Sequence, residues 1–440
     1  MPGVYATTDT SGLTQVGSAR GIVQPGVSSN GGRGNTVNYA LDGAYHNDHF
    51  TNVSLPVPDP DALQEFSVQT NGFSAEFGRN AGGVVNAVTK SGTNTVHGTL
   101  FEFHRNAAAN ARNFFATSKD SLKRNQFGGT LGGPVFLPRL YNGKDRTFFF
   151  VSFQQTLQVQ RPSDANTTVL TPAQRAGNFS ARTAPILDPL TNQPFAGNQI
   201  PLSRLNPVSK NLLDNLIPLP TNPATGLLQY VVPANNDARQ TVLKIDHNFN
   251  SRNLLTARYL RTFYHQPGND TNLVFASTVN VESPNNNASA GYTHIFSPTT
   301  LNLVQFSFIR RRDFRKGLWS RSFKDFGVRN IAVDTSIPAK ELLLSVTGAF
   351  SFDVGETDDT TPGAVVIGDI FRRIMGRHET SFGVEFRRDT LDLFFHFLID
   401  PQIQFNGNIT GYGVADFFLG TIGRLVQSAS GQRAELSRNT

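Results

Sequence analysis

The chain has 440 residues, with 39 Lys+Arg against 33 Asp+Glu (formal net charge +6), 38% hydrophobic and only 16% charged residues, 36 Phe and no Cys. Soluble domains usually carry about a quarter charged residues, and disordered chains are charge-rich and poor in Phe, so neither class fits. The lack of Cys excludes a disulfide scaffold, a Cys-ligated zinc site and a thiol nucleophile, and no run nears the roughly 18 apolar residues of a membrane helix.

The N-terminus (MPGVYATTDTSG) has no basic region and no apolar core, so it is not a signal peptide; the expectation is a fragment without its natural start. Residues 1–60 are rich in Gly, Asn, Ser and Pro, and 28–39 (SSNGGRGNTVNY) reads as turns. Short strands are expected at 64–69 and 82–90.

From Val96 the chain becomes a series of period-two segments about ten residues long. In 98–105, Phe101 and Phe103 oppose Glu102 and His104; in 147–158, Phe149, Val151, Phe153 and Leu157 share a face. In 241–250, Leu243, Ile245 and Phe249 oppose Lys244, Asp246 and Asn248. Val304, Phe306 and Phe308 align in 301–310, and in 378–389 Phe382, Val384 and Phe386 oppose Ser381, Glu385 and Arg387. One face is apolar and the other charged or amide-bearing. That pattern and length suit a tilted strand between lipid and a polar pore, and the apolar residues are expected to face lipid.

The connections alternate in the same sense. Tight turns at 250–253, 297–300 and 375–377 separate long polar stretches at 160–239, 265–284 and 314–362, as short periplasmic turns and long external loops would. Residues 207–216 inside the first long loop are expected to form one short helix.

No catalytic, cofactor-binding or metal site is expected. His46, Asp48 and His49 lie close together, but a solvated turn accounts for them better than a metal site without a second ligand cluster. The run 128–134 (GGTLGGP) lacks the Gly-Lys-Ser/Thr of a phosphate-binding loop and reads as a strand allowing close backbone approach. Arg377, His378 and Glu379 begin a strand, and Asp358-Asp359 read as solvated loop residues. The cluster Arg310, Arg311, Arg312, Arg315 and Lys316 follows an apolar alternating stretch and reads as a solvated strand end, so no nucleic-acid partner is expected.

The ordered set of motifs resembles the TonB-dependent outer-membrane receptors, and within them the Oar-like branch. Residues 38–48 (NYALDGAYHND) resemble the "LDG" element of the plug. Residues 61–79 (DALQEFSVQTNGFSAEFGR) and 81–94 (AGGVVNAVTKSGTN) resemble its closing strands. Residues 97–113 (HGTLFEFHRNAAANARN) resemble the first barrel strand and loop. The runs NQFGGTLGGP, DRTFFFVSF, TPAQRAGNF, KIDHNF and ADFFLG follow in family order.

The resemblance implies an all-β chain: a partial transmembrane antiparallel β-barrel with an N-terminal plug remnant. Residues 1–92 would be the C-terminal part of the plug, and 93–440 the N-terminal part of the barrel, with about nine strands and long external loops including 160–239. The polar plug would pack against lumen-facing Glu102, Asp246, Lys244, Glu385 and Arg387. The implied function is TonB-gated passage of a large ligand, such as an oligosaccharide or peptide, across the outer membrane of a Gram-negative cell. The implied partners are TonB, through a segment not present here, and outer-membrane lipid. No cofactor and no enzyme activity are implied. The competing reading is a secreted or surface-attached β-rich adhesin or saccharide-binding protein, in which the apolar strand faces would form a buried core.

Overall fold

A computed structural model of the protein describes residues 4–8, 25–29, 31–112, 114, 119, 121–160, 165–232, 235–268, 273–275, 279–396, 398–428 and 432–439. Most of the N-terminal stretch 1–12, Asn113, and residues 161–164 and 233–234 of the long loop lie outside these.

The described residues contain one long antiparallel sheet. Its strands are β1 (His97–Asn106), β2 (Lys123–Pro134), β3 (Thr147–Val159), β4 (Asn236–Asn250), β5 (Asn253–Gln266), β6 (Val279–Ser297), β7 (Thr300–Arg311), β8 (Asp313–Gly317), β9 (Thr357–Met375), β10 (His378–His396) and β11 (Gln432–Asn439). The order is β11-β10-β9-β7-β6-β5-β4-β3-β2-β1, with β8 wedged between β6 and β9. Apart from β7 and β8, which both lie between β6 and β9, consecutive strands pair with each other in antiparallel fashion. The sheet is not closed: β1 and β11 stand at its two ends.

Burial follows the expected alternation. On β4, Val242 and Lys244 are buried while Leu243 and Ile245 are exposed; on β10, Phe382, Val384 and Phe386 are 69%, 71% and 52% exposed, while Arg387 is buried. Phe153, Leu157, Val304, Phe306, Phe308 and Ile367 are open on the same outer face. A sandwich would have covered these side chains, because burying them is its main driving force. Here they form an outer apolar surface. The strands exceed the expected ten residues: β6, β9 and β10 each have 19, about 60 Å at the usual rise. Their loop-side halves stand beyond a bilayer span.

The turns and loops segregate. Residues 251–252, 298–299 and 376–377 turn tightly at one end of the sheet, while 160–235, 318–356 and 397–431 connect strands at the other. These three stretches do not behave as independent polar loops. They share the largest apolar core among the described residues, including Phe179, Ile186, Leu213, Trp319, Phe326, Leu344, Phe352, Phe405 and Phe417. A four-stranded sheet (Phe350–Val354, Leu342–Val346, Gln402–Phe405, Arg424–Val426) and the helices Pro207–Leu216 and Gly413–Leu419 frame this cap. The helix Pro207–Leu216 appears with the expected bounds. Asn206 caps it by accepting from the amides of Val208 and Ser209, Pro207 stands at its first turn, and Leu212, Leu213 and Leu216 face the core.

A second small sheet lies against the inner face of the long one. Its strands run Ala44–Tyr45, Val37–Leu41, Gly83–Thr89 and Leu63–Gln69, the central pair being parallel. Asp59, in the segment joining strands of this inner sheet, meets Ser152 on β3, and Tyr45 of the sheet meets Arg387 on β10, at opposite ends of the run β3, β4, β5, β6, β7, β9, β10. Only a wall curled around the inner sheet brings both to it. Leu41, Ala62 and Ala87 of the inner segment meet Phe150, Val242 and Leu260 of the wall in a small apolar seam. The glycines of 128–134 sit in β2, where a Cβ on Gly128 would fall 2.1 Å from the Phe153 carbonyl oxygen, so close backbone approach explains that motif.

Candidate functional site

The inner sheet is fastened to the wall mostly by buried polar contacts. The first centre is the turn Leu41-Asp42-Gly43, where Asp42 and Gly43 hold φ of 54° and 74°, a conformation that Gly tolerates best and Asp better than most. The turn aims the Asp42 carboxylate two ways. It accepts from the Thr89 amide (2.8 Å) and hydroxyl, bracing the sheet, and it meets Arg258 Nε at 2.8 Å and Lys244 Nζ at 3.6 Å on the wall. Lys244 also donates to the Thr89 carbonyl at 3.1 Å. With its side-chain oxygen and nitrogen exchanged, the orientation that satisfies both neighbours, the Gln305 amide donates to Gly43 O and accepts from Ala44 N, both at 3.2 Å.

The second centre is Tyr45. Its hydroxyl accepts from Arg387 Nη2 at 2.7 Å, and the guanidinium lies 3.9 Å from the ring centroid. Arg387 is held in turn by Asp389 at 2.6 Å. Burial pushes the Tyr45 hydroxyl up to about 12, against the pull of Arg387. It therefore stays neutral and binds as a phenol.

The third centre joins His46, Asp48 and Arg311. Arg311 contacts Asp48 at 2.7 Å and Asp313 at 2.5 Å, while Thr51 and the Phe50 amide donate to Asp48. Burial works to raise Asp48, but Arg311 and these donors outweigh it and hold the carboxyl below its ordinary range. His46 lies between the Pro56 carbonyl at Nε2 (3.1 Å) and the Asn287 amide at Nδ1 (3.2 Å), a pairing that suits a neutral ring protonated at Nε2. Burial, with Arg258 nearby, lowers its pKa to about 3. Further out, Asp59 accepts from Ser152, Gln240 bridges Asp59 N and Val57 O, His49 meets Thr390 O, and Glu76 pairs with Arg372 at 2.7 Å.

Several sequence expectations need correction here. His46 and Asp48 occupy a turn, but a buried one, each 1% exposed. Both are engaged by the wall, and among the described residues no group of three His, Cys, Asp or Glu is placed to hold a metal. Of the five residues expected to meet the plug, Lys244 and Arg387 touch the inner sheet. Asp246 instead accepts from Thr256 within the wall, and Glu385 remains exposed. Glu102 is on the other face: the register Glu102↔Phe127↔Gln155↔Arg239 continues to outer-face positions, and Phe101 and Phe103 point inward. Asp358 is a buried residue of β9 with Arg315 3.8 Å away, and Asp359 pairs with Arg312, so neither is a solvated loop carboxylate.

Sequence reasoning also missed Asp42, Tyr45, Arg258, Asn287 and Arg311 as members of the seal. The signal was present for Arg311. Continuing the alternation of Ser307 and Ile309 through the basic cluster places it inward, and all three are buried.

Chemically, this is a fastening rather than a reaction centre. Buried ion pairs add little net stability over apolar packing, yet removing one partner of such a pair costs about 3–5 kcal/mol. A seam built this way fixes register strongly while each hydrogen bond contributes only about 1 kcal/mol net against water.

Comparison with known proteins agrees with this architecture. The chain is 31% identical over 161 residues to the TonB-dependent transporter Oar of Myxococcus xanthus, a match covering 33% of this chain and 14% of that protein. It superposes on the outer membrane transporter YddB of Escherichia coli with a TM-score of 0.53 at 9% identity, covering 100% of this chain and 50% of that one. The chain thus spans about half the length of the solved transporter. Both relatives are named as transporters. A family model described as "Outer membrane beta barrel domain" matches residues 88–440. With its outward apolar strands and polar inner face, the chain belongs to this family, whose place is the outer membrane of Gram-negative cells.

Proposed function

We propose that residues 1–92 are the rear of a plug, that 93–440 form part of its barrel wall, and that the chain serves a TonB-dependent transporter passing a large ligand across the outer membrane. The observation that carries this reading is the polar seam: Asp42, Tyr45 and Asp48 of the inner sheet face Arg258, Arg387 and Arg311 of the wall. A permanent partition gains more from apolar contact. Ion pairs and hydrogen bonds can be exchanged for water when a pull is applied, and they re-form in one register when it ends. In this reading TonB pulls on a segment preceding the inner sheet, and the cap forms the outer mouth.

The chain has no Cys, so an introduced thiol is unique within it, and any Cys elsewhere in the protein is replaced by Ser for the test. Ser54 is 2% exposed beside the seam. In the protein made from its native gene, Ser54→Cys is expected to react with a membrane-impermeant maleimide in energised cells about tenfold faster than after a protonophore, the factor given by roughly 1.4 kcal/mol of opening energy. Equal rates in both states would refute energised gating.

A further inference from the structure

The outer face of the wall carries a feature that transport does not use. Its register defines rows of side chains running across the strands. One row reads Thr241, Arg261, Asn286, Arg310, Gly363, Thr390 from β4 to β10. The next row toward the turns reads Leu243, Tyr259, Ala288, Phe308, Val365, Arg388. The row after that contains Ile245, Phe306, Ile367 and Phe386. Two guanidinium groups, those of Arg261 and Arg310, therefore stand on the loop side of the apolar belt, and that of Arg388 ends the first row of the belt on β10. All three are exposed.

The partners of these groups set them apart. The inward arginines of the seam are ion-paired: Arg258 with Asp42, Arg311 with Asp48 and Asp313, Arg387 with Asp389. Farther toward the loops on the outer face, Arg239 pairs with Asp237 and Arg312 with Asp359. Among the described residues, Arg261, Arg310 and Arg388 have no carboxylate within ion-pair distance. Arg261 and Arg310 flank Asn286 two strands apart, a Cα separation of about 10 Å by strand spacing, which long side chains can close onto one anion. Asn286 is already turned sideways, accepting from the Tyr259 hydroxyl at 2.6 Å. A cation in this position is disfavoured against hydrocarbon and becomes favourable only where its head reaches water or a counter-charge.

We propose that Arg261 and Arg310, with Arg388 beside them, form a docking site for the phosphate-bearing headgroup of an outer-leaflet lipid whose acyl chains lie along Tyr259, Phe308 and Phe306. Charge complementarity and continuity with the lipid-facing belt select this occupant. Planar guanidinium groups suit phosphate oxygens through paired hydrogen bonds. Long loops of such barrels face outward, which puts the site in the outer leaflet. The inference depends on the outer face meeting lipid and not on gating or cargo.

The experiment titrates the detergent-purified chain with dilauroyl phosphatidic acid and counts bound lipid by native mass spectrometry, with dilauroyl phosphatidylcholine and inorganic phosphate as the other arms. The expected result is saturable phosphatidic acid binding that inorganic phosphate does not displace. Affinity should fall roughly thirtyfold in R261Q/R310Q, as two surface cations contribute to anionic-lipid attraction, and recover only in part in R261K/R310K, which keeps the charges but not the paired hydrogen bonds. Unchanged affinity in R261Q/R310Q, equal binding of phosphatidylcholine, or displacement by inorganic phosphate would overturn it. If R261Q/R310Q does not assemble, the unaltered chain decides alone: raised salt must release phosphatidic acid and leave phosphatidylcholine in place, and release of neither or of both overturns the site.

Discussion

Two buried titratable side chains give opposite pH dependences to two parts of the chain. His46 has a folded pKa of about 3 against an ordinary 6.5. The folded form excludes a proton that the unfolded form accepts, so its stabilising effect is complete above pH 6.5 and is lost as pH falls toward 3. At pH 4.5 the loss amounts to at most about 2.7 kcal/mol. Between pH 6.5 and 4.5 the urea midpoint of the chain in detergent should fall more steeply than that of His46→Asn, and parallel slopes would remove the effect. Glu341 in the cap has the reverse sign. Burial, helped by Asp353 and Glu356, raises its pKa to about 9 from 4.5. Its protonated form fits the cap, so that contribution is present below pH 4.5 and is lost as pH rises to 9. Glu341→Gln should therefore slow hydrogen exchange of the amides in Leu342–Val346 at pH 8, and exchange as fast as in the unaltered chain would contradict the assignment.

At the scale of single strands, the outer face makes a depth-dependent prediction. Phe386 lies in the row of Phe306 and Ile367, well inside the belt, whereas Phe382 lies near the 376–377 turn. Lys in place of Phe386 should cost roughly 2–4 kcal/mol of assembly into phosphatidylcholine vesicles, and Lys in place of Phe382 about 0–1, the values for mid-bilayer and interfacial positions. Folding titrations in urea measure both. Equal small effects would mean that this face does not meet acyl chains. The reversed parity of β1 belongs to the same scale. In that strand Phe alternates with Glu and His, so hydrophobicity alone assigns Glu102 inward. The ladder to β2 and β3 overrides it, because cross-strand partners must share a face.

For the whole molecule, the open antiparallel wall and the segregation of turns from loops were legible in the sequence, since both follow from period-two alternation and from connection length. Two strands of the inner sheet, at 64–69 and 82–90, were legible in the pattern, but their assembly into a sheet inside the wall was legible only through resemblance. The Asp42 and Asp48 contacts join residues more than two hundred positions apart, beyond any local pattern. The cap was misread as a set of polar loops. Its apolar residues lie singly, as Phe179 and Trp319 do, or in runs of two or three, as at 212–213, 342–344 and 417–419, over three separate stretches. Only their meeting in space makes a core. The run ADFFLG was noticed as a motif, but its buried helix faces a centre that no single loop contains.

That shared centre constrains how the mouth can diversify. Three insertions between neighbouring staves converge on one knot of aromatic rings, with Phe417 edge-on to Phe350 and Phe405 and with Phe179 5.8 Å from Phe418. A change in one insertion meets side chains of the other two, so under the proposed transport role any cargo preference should be exchanged as a block of all three, not tuned one loop at a time.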